Sequence, residues 1–127
     1  MKKVWVFWVV LMGIAWAQVQ KGADLPTGVS LVQLIASPEK YNGRRVMLIG
    51  VLALDNEGDA VYLSHEDYSH AMRYNRVRIE RNKAVSTDCG QADGSYVVVA
   101  GEFEAPGLTE DSTGRIKNIS RCSLWPH

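Results

Sequence analysis

The segment that decides the fold runs from Arg45 to Leu54 and reads RVMLIGVLAL. It is apolar almost throughout, and its single glycine, Gly50, lies near the middle. A long apolar run is typical of a β-strand that is buried along its length. An internal glycine marks a place where such a strand bends sharply. We therefore predict a long strand that bends at Gly50, as the strands of small barrels do.

Four further segments have strand-like patterns. The clearest alternation is in the second of them, where Val77 and Ile79 are separated and flanked by charged residues, so the two apolar side chains share one face. In the last segment Ile116 and Ile119 are three positions apart, and this odd spacing predicts a β-bulge. The four segments are Ala60–Ser64, Arg76–Glu80, Tyr96–Glu104 and Arg115–Cys122.

A short helix is predicted before the first long strand. Ser30 is a suitable N-cap, the apolar residues of Leu31–Ile35 follow helical spacing, and Pro38 ends or kinks the helix. Five strands with little helix and a single core predict a mainly β fold, a small antiparallel barrel or sandwich. A small five-stranded OB-fold-like barrel, preceded by the short N-terminal helix, fits best.

The first residues resemble a secretory signal peptide. Lys2 and Lys3 precede an uncharged run that ends in Ala15-Trp16-Ala17, with small residues where a signal peptidase cleaves. A transmembrane anchor is the alternative, but it needs about 20 apolar residues, and polar residues follow from position 18 onward. We predict a signal peptide at 1–17, a flexible leader at 18–28 and one OB-fold-like domain at 29–127.

Charge and composition exclude some classes of protein. The chain of 127 residues has 14 basic and 14 acidic side chains. Removal of residues 1–17 takes away Lys2 and Lys3 and leaves the acidic side chains in excess by two. This balance argues against tight, nonspecific nucleic-acid binding, which depends on the number of phosphates that Lys and Arg neutralise.

The two cysteines, Cys89 and Cys122, lie 33 positions apart. An exported chain with an even number of cysteines usually forms disulfides. Two buried free thiols, or half of a metal site, are the alternatives, although this spacing matches no zinc motif. If the last two strands form a hairpin that turns near Thr109, Val97 lies opposite Arg121, and Cys89 can fold back to Cys122. We therefore favour a disulfide.

Several segments together resemble a group of exported bacterial OB-fold proteins, related in fold to the anticodon-binding-like OB superfamily. The resemblance spans about residues 29–121 and implies an OB-fold and a periplasmic location. Its motifs place turns and core residues, and they imply no catalytic machinery. The segments are Val29–Ile35, Ser37–Gly43, Val46–Gly50, Val61–Asp67, Tyr96–Phe103 and Ile116–Ile119.

The outer face of the middle strands is the main candidate site. Val61, Leu63, Val77 and Ile79 are predicted to face the core, which turns the intervening residues outward. An exposed aromatic ring beside guanidinium groups can stack on a base or sugar and can pair with a phosphate or carboxylate. Ordinary cross-strand ion pairs are the alternative interpretation. The candidate ligand-binding residues are Tyr62, Arg76, Arg78 and Lys117, with Arg115 and Arg121 on the same strand as Lys117.

The run His65-Glu66-Asp67-Tyr68-Ser69-His70 contains several side chains that can bind metals. A zinc or copper site needs three protein ligands with defined geometry. A solvated connection between strands is therefore the favoured interpretation, with a metal site built on His65, Glu66 and His70 as the weaker alternative.

No catalytic set is visible in the sequence. The chain has no Gly-x-Ser-x-Gly motif, and Ser64 and His65 would point to opposite faces of a strand. The sequence therefore predicts a periplasmic or secreted, non-enzymatic binding or adaptor module without a cofactor, which engages a protein or an envelope polymer and is not inserted in a membrane. The alternatives are a single-stranded nucleic acid or other polyanion binder, and a metal-binding protein or hydrolase.

Overall fold

The computed structural model describes residues 25–107 and 113–126. The predicted signal peptide at 1–17 and the predicted turn near Thr109 lie outside the described residues. Of the predicted leader at 18–28, residues 25–28 are described, and Thr27–Gly28 form a short strand.

The strands form one continuous sheet that closes on itself as a barrel. Going round the barrel, the order is β2, β3, β4, β6, β5 and back to β2, while β1 pairs with β2 beside the ring. The predicted mainly β fold, a five-stranded OB-fold-like barrel behind a short N-terminal helix, is confirmed. The strands are β1 (Thr27–Gly28), β2 (Arg45–Ala53), β3 (Asp59–Tyr62), β4 (Arg76–Ile79), β5 (Tyr96–Glu104) and β6 (Arg115–Leu124).

The barrel is mixed, whereas the sequence predicted a small antiparallel barrel or sandwich. β4 and β6 run parallel, with Arg78 beside Arg115 and Ile79 beside Ile116. The other neighbouring pairs of the ring are antiparallel. Five strands that alternate in direction cannot close into a ring without placing two strands of the same direction side by side, so one parallel pair is required.

Within the described residues, short helices connect the strands. They are α1 (Leu31–Ala36), α2 (Pro38–Tyr41), α3 (His65–Ser69) and α4 (Lys83–Asp88), with a 3₁₀ helix at Arg73–Asn75. α1 begins after Ser30, as predicted. The Ser30 hydroxyl accepts from the backbone N–H of Gln33, and the Gln33 side chain accepts from the N–H of Ser30. No helix in the described ranges has both the length and the apolar character needed to cross a membrane.

The core fills the interior of the barrel and includes residues from α1 and α4. Val77 and Ile79 both belong to it, as the alternation in β4 predicts. Leu63, which was also predicted to face the core, is 37% exposed, because β3 ends at Tyr62 and the chain turns toward α3. The largest fully buried side chains include Phe103, Leu31, Leu34, Leu48, Leu52 and Ile116.

Strand β2 changes partners at the predicted bend. Residues 45–51 pair with β5, whereas residues 51–53 pair with β3. At Gly50 a Cβ atom would meet the side chains of Val61 and Leu31 and the carbonyl oxygen of Tyr62. The glycine therefore allows β2 to pass close to β3 where the barrel closes.

The β5–β6 pairing has a different register from the one predicted. Val97 lies opposite Leu124, and Arg121 lies opposite Ala100. The offset arises mainly from the bulge expected at Ile116 and Ile119. Between the pairs Ala100–Arg121 and Glu102–Lys117, β6 contains two more residues than β5, and Asn118 there has a φ of 51°. The extra residues move the end of β6 along β5.

Cys89 and Cys122 form the predicted disulfide. The bond links the residue that ends α4 to the part of β6 opposite Val99. Both cysteines are buried in the core. A second link runs parallel to it, since the side-chain N–H of Asn82 donates to the carbonyl oxygen of Ile119 at 2.8 Å. The connection between β4 and β5 is thereby fixed to the C-terminal strand.

Candidate functional site

Tyr62 lies on the outer side of β3 but is not accessible there. It is 4% exposed and packs in a small cluster with Val51 and Ala60, against the partly buried Tyr68. The Tyr62 and Tyr68 rings meet edge to face with centroids 6.0 Å apart. The predicted exposure of Tyr62 is therefore wrong, because α3 places Tyr68 over the outer surface of the barrel.

Helix α3 is held in this place by a compact network of hydrogen bonds. The hydroxyl of Ser64 caps the helix by accepting from the backbone N–H of Asp67. The Asp67 carboxylate accepts from the Ser64 hydroxyl at 2.9 Å and from the Asn75 side chain at 3.1 Å. At the other side of the helix, the Tyr68 hydroxyl donates to Asp93 at 3.1 Å. The helix is thus tied to the residues before β4 and before β5.

Replacement of Tyr68 by Phe is expected to lower the free energy of unfolding by about 1 kcal/mol, because the hydrogen bond to Asp93 is lost. Burial, reinforced by Asp93, raises the pKa of Tyr68 above its ordinary value of 10.0. In the unfolded chain this hydroxyl ionises at lower pH, so its contribution to stability falls as the pH rises from that ordinary value. Urea unfolding at pH 7 and at alkaline pH measures both effects.

The alkaline loss of stability should be smaller in Tyr68→Phe than in the unmodified protein. Tyr74→Phe is the matched control, since Tyr74 is 70% exposed and lies in the 3₁₀ helix. Equal alkaline loss in all three proteins would contradict the role given to the Tyr68 hydroxyl.

The predicted basic residues already make contacts within the protein. Arg76 donates to the Tyr62 hydroxyl at 3.0 Å, and its guanidinium lies 5.7 Å from the centre of the same ring. Arg78 donates to the carbonyl oxygen of Glu57 at 3.2 Å. Tyr62 and Arg76 are direct neighbours across β3 and β4. These contacts hold the two guanidinium groups against their own barrel.

Lys117 forms an ion pair with Glu104 on the neighbouring strand, with 2.9 Å between Nζ and Oε2. Their hydrogen bond raises the pKa of Lys117 and lowers the pKa of Glu104. This is the cross-strand pairing that was the alternative interpretation of the basic residues. As an exposed pair, it contributes little to stability.

The residues of the metal hypothesis lie on α3 but do not converge. His65 and Glu66 begin the helix, and His70 ends it. The Nδ1 of His70 donates to the backbone carbonyl of Glu66 at 2.9 Å, which directs this nitrogen at its own helix. His65 lies edge-on against the Tyr96 ring, with centroids 4.8 Å apart. Within residues 25–107 and 113–126, no three His, Cys, Asp or Glu side chains are grouped as metal ligands would be.

A polar cleft of about 380 Å³ lies at the loop between β2 and β3. Two of its charged residues, Asp59 and Arg81, form a bidentate ion pair. The Nε and Nη2 atoms of Arg81 lie 2.7 and 2.8 Å from the two carboxylate oxygens of Asp59. The buried Asp59 carboxylate also accepts from the backbone N–H of Asp55. Both oxygens of Asp59 are used within the protein and its side chain is 4% exposed, so this carboxylate is not available to a ligand.

A larger cleft, which we call the aromatic cleft, has a volume of about 620 Å³. It lies where the start of α3, the start of β5 and the end of β6 meet. The backbone N–H of Trp125 donates to the carbonyl oxygen of Tyr96, and that of Gly94 donates to the carbonyl oxygen of Leu52. These bonds fix the walls to the barrel. The cleft is lined by His65, Gly94, Ser95, Tyr96, Leu124, Trp125 and Pro126.

The aromatic cleft combines accessible ring surface with unused hydrogen-bonding groups. Leu124 is 61% and Trp125 45% exposed. Within the part of the chain that the structure describes, the side chains of His65, Ser95, Tyr96 and Trp125 make no hydrogen bond. Among the described residues that line the cleft, none is Lys, Arg, Asp or Glu. The cleft is therefore suited to holding an uncharged group by stacking and hydrogen bonds.

The aromatic cleft was not predicted from the sequence, because its residues come from three distant parts of the chain. Tyr96 opens a strand, Trp125 follows the last strand, and His65 was considered only as a metal ligand and as a catalytic partner of Ser64. The one available signal was the position of large aromatic residues at strand ends, where they are free of the alternation that buries residues within a strand.

Comparisons with known proteins do not assign a family or a function to this chain. A scan against protein-family models finds no model that matches the chain. A search of curated proteins finds no match either.

Proposed function

We propose that this chain is an exported, non-enzymatic binding module that engages a protein or a polymer of the cell envelope through the aromatic cleft. The observation that carries the proposal is the set of exposed and partly exposed polar and aromatic side chains in the cleft that lack hydrogen-bond partners among the described residues. Accessible polar groups without a protein partner are paired with water, which the polar groups of a ligand can replace.

The covalent structure supports an exported location. The Cys89–Cys122 disulfide fits an oxidising compartment such as the bacterial periplasm or the exterior of the cell. The signal-peptide pattern at residues 1–17 points to the same compartments. We therefore propose a periplasmic or secreted protein.

The chemistry of the cleft favours binding over catalysis. Of the described residues that line it, His65 alone is an ordinary acid–base group, and general acid–base catalysis usually needs a second group with a matched role. The described lining contains neither a carboxylate nor a thiol that could act beside this imidazole. Stacking and hydrogen bonding are what the lining side chains can supply.

Polyanion binding receives less support from the basic residues of the barrel face. Lys117 is paired with Glu104, and Arg76 with Tyr62, so a phosphate would have to compete with these contacts. This alternative is tested by measuring the affinity for single-stranded nucleic acid at low and at physiological ionic strength. For a polyanion binder, the affinity would fall steeply over this range.

Combined replacement of Tyr96 and Trp125 by Ala is expected to remove capture of envelope material by the immobilised protein. These are the Tyr and Trp side chains of the described lining, and aromatic residues dominate binding at such sites. The measurement is recovery of protein and of polysaccharide from an envelope extract, compared with the unmodified protein. We expect recovery to fall by about tenfold or more.

Two variants control this experiment. Tyr74→Ala removes an exposed ring outside the cleft, and Arg76→Ala combined with Arg78→Ala removes the basic groups of β4. Both should retain capture. Equal recovery by the cleft variant and the unmodified protein would mean that the binding surface lies outside the cleft. Loss of capture in the arginine variant alone would mean that the binding surface is the outer face of β3 and β4, as predicted from the sequence.

A further inference from the structure

We infer that the aromatic cleft binds an uncharged saccharide, with a sugar ring lying against Trp125 and its hydroxyls bonded to Ser95, Tyr96 and His65. This inference rests on the proposed function and names the chemistry of its ligand. Three properties of the cleft carry it: the absence of Lys, Arg, Asp and Glu from its described lining, its exposed ring surface, and the donors and acceptors that the described residues leave unused.

The side chains of the described lining select against charged ligands. The lining residues that the structure describes include no Lys or Arg to pair with a phosphate or carboxylate, and no Asp or Glu to pair with an ammonium group. A charged ligand that enters the cleft loses hydration without gaining an opposite charge, and this desolvation is costly. The cleft therefore favours a ligand without net charge.

The exposed rings suit a ligand with a flat apolar face. Trp125 is 45% exposed, and Tyr96 is partly exposed beside it. Both side chains combine an apolar ring with a polar tip. A pyranose ring has a matching construction, because its axial C–H groups form an apolar face and its hydroxyls project from the rim. Stacking on the indole would bring this rim toward the polar groups of the cleft.

The hydrogen-bonding groups of the cleft match hydroxyls better than an apolar chain. The hydroxyls of Ser95 and Tyr96 can both donate and accept, neutral His65 offers one donor and one acceptor, and Trp125 offers a donor. A sugar hydroxyl also donates and accepts, so it can use each of these groups. A hydrocarbon surface would cover the same groups and leave them unpaired, at a cost of about 1–3 kcal/mol for each buried group.

The size of the cleft allows more than one sugar unit. Its volume of about 620 Å³ lies inside the range of roughly 300–1,000 Å³ that is usual for small-molecule sites. Leu124 and Trp125 leave one side exposed to solvent, so a longer saccharide could extend out of the cleft. This geometry fits a segment of a polymer as well as a free oligosaccharide.

The inference is tested by calorimetric titration of the purified protein with a defined set of probes. Uncharged trisaccharides of glucose, in α and β linkage, and of N-acetylglucosamine represent the inferred class. A trisaccharide of galacturonate, a proline-rich decapeptide and oligothymidylate represent charged saccharides, apolar peptides and nucleic acid. We expect binding of at least one uncharged trisaccharide, with an affinity that changes little between 20 and 200 mM salt, since no charge is neutralised.

Variants of the lining residues test whether the saccharide binds in the aromatic cleft. Trp125→Ala should weaken the affinity by about tenfold or more, and Tyr96→Phe, which removes only a hydroxyl, should weaken it by several-fold. Tyr74→Ala should leave the affinity unchanged. Thermal unfolding of each variant shows whether the barrel is intact, and Trp125 and Tyr74 are exposed enough for their replacement to be tolerated.

The outcomes separate the ligand class from the proposed function. Preferential binding of the charged saccharide, the peptide or the oligonucleotide, with loss in Trp125→Ala, would overturn the saccharide inference and leave the binding function standing. Saccharide binding that survives in Trp125→Ala would also overturn the inference, because the cleft would not be the site. If no uncharged trisaccharide binds, the inference falls, and the proposed function falls with it only if capture from the envelope extract fails too.

Discussion

Replacement of both Cys89 and Cys122 by Ala is expected to lower the free energy of unfolding by about 3 to 4 kcal/mol. The disulfide joins residues 33 positions apart, so its removal frees a long loop in the unfolded chain and increases the entropy of that state. The total stability of a small domain is typically about 5–15 kcal/mol, so this loss is a large part of it. Guanidinium unfolding followed by circular dichroism measures the change.

The dependence of stability on denaturant should change as well. Without the cross-link the unfolded chain is more expanded, so the slope of the free energy against guanidinium concentration should rise. Ser86→Ala is the control, since Ser86 is an exposed residue of the same helix, α4, and surface replacements usually change stability by less than about 0.5 kcal/mol. A double-cysteine variant within 1 kcal/mol of the unmodified protein would show that other contacts, such as the Asn82–Ile119 bond, hold this connection.

The double-cysteine variant also tests whether the disulfide positions the residues of the aromatic cleft. Cys122 lies three residues before Trp125, at the end of β6 that forms one wall of the aromatic cleft. Loss of the bond should therefore increase amide hydrogen exchange at Leu124 and Trp125 more than in β3. Saccharide affinity should weaken in parallel, because the binding side chains would be less well positioned.

The elements of the barrel could be predicted because side-chain alternation is a local property. In β4, Val77 and Ile79 enter the core while Arg78 is exposed, as their order in the sequence indicates. The bulge in β6 was predicted by the same logic, since Ile116 and Ile119 can both be buried only if the strand is irregular between them. Such patterns depend on a few neighbouring residues.

The environment of each face could not be predicted in this way. Alternation places Tyr62 outside the barrel interior, but it does not show that α3 lies over that part of the surface and brings Tyr68 onto it. The partners of Arg76 and Lys117 also depend on which strands become neighbours. The aromatic cleft is the extreme case, because His65, Tyr96 and Trp125 meet only when the barrel has closed.

Replacement of Gly50 by Ala is expected to lower the free energy of unfolding by about 3 kcal/mol. The added Cβ would lie 2.7 Å from the carbonyl oxygen of Tyr62 and 2.9 Å from a methyl group of Leu31, and it would also meet the side chain of Val61. Side chains can turn away, but the Tyr62 carbonyl belongs to β3, which is paired with β2 on one side and β4 on the other. Relief therefore requires β2 and β3 to separate where β2 changes partners. Thermal and urea unfolding measure the loss.

Gly28→Ala is the matched control for this variant. Gly28 also lies in a strand, β1, but an added Cβ meets nothing within 4 Å, so the same change should leave stability within about 0.5 kcal/mol or raise it slightly. The difference between the two variants isolates the steric effect from the lower flexibility of Ala in the unfolded chain. Equal stability of the two would mean that β2 does not need to approach β3 so closely at Gly50. Closure of the barrel would then depend on the β2–β5 pairing and the disulfide instead.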